Sequence, residues 1–397
     1  MTSVGALTRR AWLGRCQRLF GLGVVASAIF AHAALAGDAT ATGLHPGSSG
    51  ASPIVFVHGN GDSKAIWTTV LWRFESQGYP RDRLYAVDLA KPRARDVDAI
   101  EQPGRSSTAE VRDQLASFVD EVLAKTRARK VFLIGNSRGA NTIRNYVKNA
   151  GGAAKTERMV LAGGVSHGVV YSPYFLIGSE FNGASEFLQQ LNSGPTEVVP
   201  GIPTLTIRSD RFDKFAQPDA KYLGFPGVPT GVSYDAPALT GARNLVVPGV
   251  DHRETAFDPA AFALEYAFVA GRWPSSLAIR PERAPLLDGE VTGVTADSYN
   301  NLPVAGARVQ VYAVNPLTGR RLGPALRDVV TGLDGRWGPF RADPHAHYEF
   351  VVDVAGMPKT HIYRSPFPRG SSLVTLRPAM PVEHPENGSV VMMSRPR

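Results

Sequence analysis

Val131-Phe132-Leu133-Ile134-Gly135-Asn136-Ser137-Arg138-Gly139 is the stretch on which the fold turns. Four consecutive apolar residues without alternation read as a strand buried on both faces, the kind found in parallel sheets. It runs into Gly-x-Ser-x-Gly, a sharp turn that needs small residues on either side of the serine. Residues 140–148 behind it read as a helix. Upstream, Pro53-Ile54-Val55-Phe56-Val57 is another apolar run, closed by His58-Gly59-Asn60-Gly61. A helical stretch over residues 67–77 ends at Gly78 and Pro80, and residues 84–89 give a short strand. Ser107-Thr108-Ala109-Glu110 is a capping box, followed by Val111, Leu115, Phe118, Val119, Val122 and Leu123 at helical spacing. Downstream, strands are expected at 159–162, 204–207 and 245–247, with a closing helix over 259–269. Strands alternating with helices over residues 53–274 predict an α/β domain, a parallel sheet covered by helices on both faces.

After Gly271-Arg272-Trp273-Pro274 the period changes. Residues 290–294, 307–312 and 348–352 alternate as strands, with Asn300-Asn301, Thr318-Gly319 and Asp334-Gly335 read as the turns between them. Residues 285–397 are therefore expected to form a small all-β sandwich.

The chain has 397 residues, of which 43% are hydrophobic, enough for a core without disulfide staples. Its one cysteine, Cys16, lies in a segment that reads as an export signal. Thr8-Arg9-Arg10-Ala11-Trp12-Leu13 pairs arginines ahead of a mainly apolar stretch from Leu19 to Ala31, and Ala34-Leu35-Ala36 offers a cleavage site. The pattern resembles a twin-arginine signal over residues 1–36, with a general secretory signal or an uncleaved anchor as alternatives. Residues 37–52, rich in Ala, Thr, Gly and Ser, read as a linker. Export would place the mature chain, beginning at Gly37, in the periplasm or outside the cell. The signal carries four arginines and no acids, so its removal lowers the net charge from +8 to +4. That balance gives no reason to expect a nucleic-acid partner.

Chemistry is read first from Ser137. A strand-to-helix turn lifts its hydroxyl clear of the sheet, at a helix N-terminus whose dipole favours negative charge. A serine hydroxyl is a weak nucleophile without a base. His252 follows a late apolar strand and precedes the closing helix, where a base belongs in a Ser, Asp, His order. Two aspartates, Asp210 and Asp213, follow the strand at 204–207; Asp213 is preferred as the acid, since Asp210 could instead pair with Arg208 or Arg211 at the surface. Asn60 and Arg138 are the expected backbone N–H donors of an oxyanion hole. The insertion between the fourth and fifth strands carries Tyr171, Tyr174, Phe175 and Phe181, which read as a substrate wall or lid, or as the packing of a cap helix. No metal cluster of persuasive spacing and no cofactor motif appears. The oligomeric state is not legible.

His58–Gly61, Gly135–Gly139, Asp213 and His252 together resemble the α/β-hydrolase superfamily, in its lipase and esterase branch, over residues 53–272. Gly163-Gly164-Val165-Ser166-His167-Gly168 is similar to a lipase segment that usually carries proline where Ser166 stands. Arg138 is less usual after the serine than a small or apolar residue, and suggests polarity or an acid-binding group at the entrance. Gly289-Glu290-Val291-Thr292-Gly293, residues 303–309 and 331–336 are similar to carboxypeptidase regulatory-like modules. The resemblance implies a serine carboxylic-ester hydrolase acting on an ester or lipid through an acyl-enzyme. Its β domain would bind a lipid or polymer surface, or stabilise. A polyester depolymerase, an acyltransferase, or a binding protein on an inactive scaffold are the alternatives.

Overall fold

A computed structural model describes residues 51–235, 238–294, 298–380 and 389–394. The expected signal and nearly all of the linker lie outside them.

Six strands form one parallel sheet: β1 (Ile54–Val57), β2 (Leu84–Val87), β3 (Val131–Asn136), β4 (Thr156–Ala162), β5 (Thr204–Arg208) and β6 (Arg243–Val246). Their order is β2-β1-β3-β4-β5-β6, every neighbouring pair parallel. Helices α1 (Thr68–Ser76) and α5 (Pro259–Ala270) contribute to the core on one face, and α2 (Thr108–Thr126) and α3 (Arg138–Asn149) to that on the other. The expected α/β architecture is present, and the reason is visible in the strands. In β1 and β3 every residue is buried, with successive side chains feeding the two opposite cores. The capping box also forms: Ser107 Oγ accepts from Glu110 N, and the Glu110 carboxylate accepts from Ser107 N. A short helix, α4 (Glu186–Leu191), stands in the insertion after β4, where the sequence reading allowed for a cap helix.

The C-terminal β domain is built on a five-stranded sheet. Its strands are β9 (Arg308–Val314), β10 (Arg327–Val330), β11 (His347–Asp353), β12 (Lys359–Arg364) and β13 (Ser389–Ser394), in the order β10-β9-β11-β12-β13. A hairpin, β7 (Thr292–Val294) with β8 (Tyr299–Pro303), precedes it. Asn300 and Asn301, expected in a turn, lie inside β8; both side chains are buried and hydrogen-bonded, which outweighs their turn preference.

The β domain shares its core with the α/β layer through α1. Val70 and Phe74, four residues apart, face the sheet. Trp72 and Ser76, also four apart, face the other way. Trp72 joins the core of Val291, Trp337 and Phe350 and donates its Nε1–H to Gly370 O at 2.8 Å. Its ring meets Phe367 edge-on at 6.3 Å. Trp72 is thus an anchor of the junction, an α1 side chain buried in the core of the β domain.

One residue of α5 violates the burial pattern. Glu265 is fully buried, and neither carboxylate oxygen has a hydrogen-bond partner. Burial pushes its pKa well above the usual range, with Arg73 pulling weakly back. The folded state therefore holds a proton that the unfolded chain releases above about pH 4.5. Its contribution is favourable below that pH and is lost as pH rises towards the folded-state value. Glu265→Gln should flatten a decline of up to about 1.4 kcal/mol per pH unit, read from urea midpoints between pH 5 and 8. Equal slopes in both proteins would rule this out.

Candidate active site

Ser137 closes β3 and opens α3 with φ 54° and ψ −120°. The strained backbone is held by Ser137 N–H donating to Ala162 O at 2.9 Å. A Cβ at Gly139 would overlap the Val57 and His58 carbonyls, and one at Gly135 would overlap Ile143, so the turn exists because both positions are glycine.

Ser137 Oγ lies 2.8 Å from His252 Nε2. His252 Nδ1 lies 3.0 Å from each Asp213 carboxylate oxygen. With a carboxylate as its acceptor, Nδ1 carries the proton and Nε2 is left to take one from the serine. The Phe215 ring stands edge-on to the imidazole at 4.7 Å and screens it from solvent. The two aspartates separate here. Asp213 is buried against His252, whereas Asp210 accepts from Phe212 N at 3.2 Å and Gly249 N at 2.9 Å, bracing the two loops.

Residues beyond the predicted ones hold His252 in place. Asn136 Nδ2 donates to Ala162 O at 3.1 Å, to Thr255 Oγ1 at 3.2 Å and, more loosely, to His252 O at 3.4 Å. Thr255 Oγ1 donates to His252 O at 2.7 Å. Asn136 was visible only as the variable position of Gly-x-Ser-x-Gly, and a pattern of that kind says nothing about a side chain facing backwards.

The N–H of Arg138 is the first of α3, with no acceptor one turn back. The N–H of Asn60 has no acceptor among the described hydrogen bonds. The Asn60 side chain accepts from Ala94 N at 2.8 Å, which fixes the loop. The Arg138 side chain corrects the entrance reading. It is fully buried, donating to Glu180, Pro92 O and the Ser106 hydroxyl and carbonyl. It reaches no entrance; it ties α3 to the loops at 92–106 and 180. Burial pushes the Glu180 carboxyl up, and Arg138 pulls it back down. Arg138→Met should cost about 3–5 kcal/mol, because it leaves Glu180 buried without its cation. Arg138→Met with Glu180→Leu should recover most of that, and a double variant as unstable as the single one would refute the pairing.

Ser137 and His252 open on a cavity of about 590 Å³. One wall is apolar: Val165, Val169, Leu176, Phe181, Phe215 and Leu223. The other is polar, with Arg95, Asp96, Arg105, Asp62 and Arg253. Those charges are paired, Arg95 with Glu110, Arg105 with Asp96 and Arg253 with Asp62 at 2.7–3.0 Å. Of the four aromatics expected to bind substrate, Phe181 lines this cavity and the other three do not. Tyr171 lines a neighbouring cavity of about 270 Å³ behind Asp213. Tyr174 is 85% exposed. Phe175 packs against Phe225 at 4.9 Å, joining the insertion to the loop after β5. His167, on the rim of the smaller cavity, pairs with Glu197 at 2.7 Å. An insertion rich in aromatics announces an apolar wall, but loop geometry decides which rings turn inward.

Residues 51–171 match the family described as lipase (class 2), and residues 287–381 match the lipase C-terminal domain. Among solved structures, a lipase B of Aspergillus fumigatus is 17% identical, with 60% of this chain and 57% of that one covered and a TM-score of 0.41. The chain thus spans little more than half the length of that lipase. A mature Bacillus licheniformis lipase is 18% identical, with 58% and 96% covered and a TM-score of 0.42. A monoacylglycerol lipase of Paleococcus ferrophilus is 14% identical, with 55% and 94% covered and a TM-score of 0.37.

Proposed function

We propose, for a chain whose residues 51–171 match a class 2 lipase family and whose residues 287–381 match a lipase C-terminal domain, that it is an exported carboxylic-ester hydrolase working through an acyl-enzyme on Ser137. The observation that carries this is His252 bridging the Ser137 hydroxyl and the Asp213 carboxylate. In the forward half-reaction Ser137 Oγ attacks the ester carbon and His252 Nε2 takes its proton. The oxyanion forms against the N–H groups of Asn60 and Arg138. The tetrahedral species collapses, the imidazolium protonates the departing alcohol, and the acyl group stays on Ser137. Water then repeats the sequence through His252 and releases the acid. Asp213 keeps the imidazole in its tautomer and stabilises the imidazolium.

The cavity supports an ester with an apolar acyl chain and a polar alcohol. Its apolar wall suits the chain, and the paired charges opposite, together with Lys214 over the Phe215 ring, offer hydrogen bonds to the alcohol side. Tyr174, Ile177, Tyr222 and Phe225 are exposed on the two loops that carry the lining residues Leu176 and Leu223. That apolar rim supports a lipid-facing mouth. The test is reaction with an active-site fluorophosphonate, followed by turnover of p-nitrophenyl esters of rising chain length. Labelling with a peak at medium to long chains is expected, and an unlabelled protein would sink the enzyme reading. A flat profile with no activity on emulsions would remove the lipase part and leave an esterase.

A further inference from the structure

The donor expected from the first loop is set by a peptide plane. Gly59 C=O and Asn60 N–H belong to one trans peptide, so they point in opposite directions. Gly59 O accepts from His58 Nδ1 at 2.9 Å and from Asp62 N at 3.3 Å. Holding that carbonyl outward holds the Asn60 N–H towards the cavity that Gly59, Asn60 and Ser137 line. His58 can do this in one state only. Its Nε2 accepts from Leu89 N at 3.1 Å, so Nδ1 carries the hydrogen and the ring is neutral. Burial lowers its pKa in the same sense.

The partner that locks this arrangement comes from the β domain. Asn301 Nδ2 donates to Asp62 O at 2.9 Å and Leu89 O at 3.0 Å, and lies 3.4 Å from His58 Nε2. Asn301 N–H donates to Ala90 O at 2.9 Å. Arg377 donates to Asn301 Oδ1 at 2.5 Å, which fixes the amide with its NH2 towards the loop. Asn301 thus joins Asp62, at the end of the oxyanion loop, to the segment that follows β2, whose Leu89 N–H holds His58, over sequence separations of more than 200 residues.

We propose that Asn301 is a positioning residue for the oxyanion hole, so that the β domain completes the site it packs against. The inference rests on the acyl-enzyme reading above. Asn301 touches no reacting atom; it holds Asp62 directly and His58 through Leu89, and these hold the Gly59–Asn60 peptide. Losing it should lower kcat and leave substrate binding nearly intact, because the hole is needed most when the oxyanion forms.

The test compares purified full-length Asn301→Ala with wild type and with Arg369→Ala. Arg369 also crosses the junction, to Glu75 and Glu282, but away from the loop. Asn301→Ala should lose about 10- to 100-fold in kcat and in the rate constant for fluorophosphonate labelling, with KM within about threefold. Arg369→Ala should lower Tm while both rates stay within about twofold. Asn301→Asp removes the same donors without leaving a hole, and it should show the same rate loss if the alanine variant does not fold. A wild type that labels while neither Asn301 variant labels more slowly overturns the inference alone. Equal rate losses in Arg369→Ala would also overturn it, since general loosening would then suffice. A wild type that does not label overturns the acyl-enzyme reading and this inference with it.

Discussion

Ser137→Ala is expected to lower kcat on a p-nitrophenyl ester by about 10⁶-fold, to the level set by binding and the oxyanion donors alone. In the proposed reaction this hydroxyl is the group acylated, and among the described hydrogen bonds it is the one hydroxyl on His252 Nε2. Ser179 is the other serine lining the same cavity, its Oγ accepting from Phe181 N at 3.3 Å, and Ser166 lines the smaller cavity behind Asp213. Stability should respond differently from activity. At φ 54° and ψ −120° an alanine is strained as serine is, so Ser137→Ala should change the folding free energy little. Ser137→Gly removes that strain and should be as inactive but more stable than the alanine variant, by about 1 kcal/mol. Paired measurements of kcat and urea midpoint test both halves. Residual turnover above about one part in 10³ in Ser137→Ala would mean that another group attacks the ester.

Much of this was legible because the determining signals are local. The apolar runs of β1 and β3, the capping box at Ser107 and the glycines flanking Ser137 each dictate a conformation over a few residues. The Ser, Asp, His order of the candidate residues came from the fold that the motifs resemble. What escaped depends on side chains meeting across long separations. Asn300-Asn301 carries the composition of a turn, and nothing nearby shows that Asp62 and Leu89 wait for Asn301's amide. Trp72 reads as one more apolar position of an amphipathic helix; that it belongs to the β domain's core follows only from tertiary packing. Arg138 next to Ser137 reads as a polar or acid-binding group at the entrance because its acceptors, Glu180, Pro92 and Ser106, are scattered along the chain. The pocket aromatics failed for a related reason. Tyr171 and Phe181 are separated by ten residues of irregular loop, where no period fixes which side faces inward.

The acid is the position where sequence left two residues and geometry separates them. Asp213→Asn should lower kcat by about 10⁴-fold while the fold persists. Asparagine can present an NH2 where the carboxylate accepted, and the imidazole then offers Nδ1 as an acceptor and turns its Nε2 hydrogen towards Ser137. In that tautomer it cannot take the serine proton. Asp210→Asn should stay within about threefold of wild type in kcat and lose about 1 kcal/mol of stability, since one of its two backbone acceptor contacts can survive. The two aspartates stand three residues apart in one turn, where Asp213 N–H donates to Asp210 O at 2.9 Å. That turn sends the first carboxylate back to Gly249 and the second forward to His252. Measuring kcat for both variants on the pH plateau of the wild-type rate decides the assignment. A larger loss in Asp210→Asn than in Asp213→Asn would transfer the acid's role to the loop brace and would require the β5–β6 loops to rearrange when substrate binds.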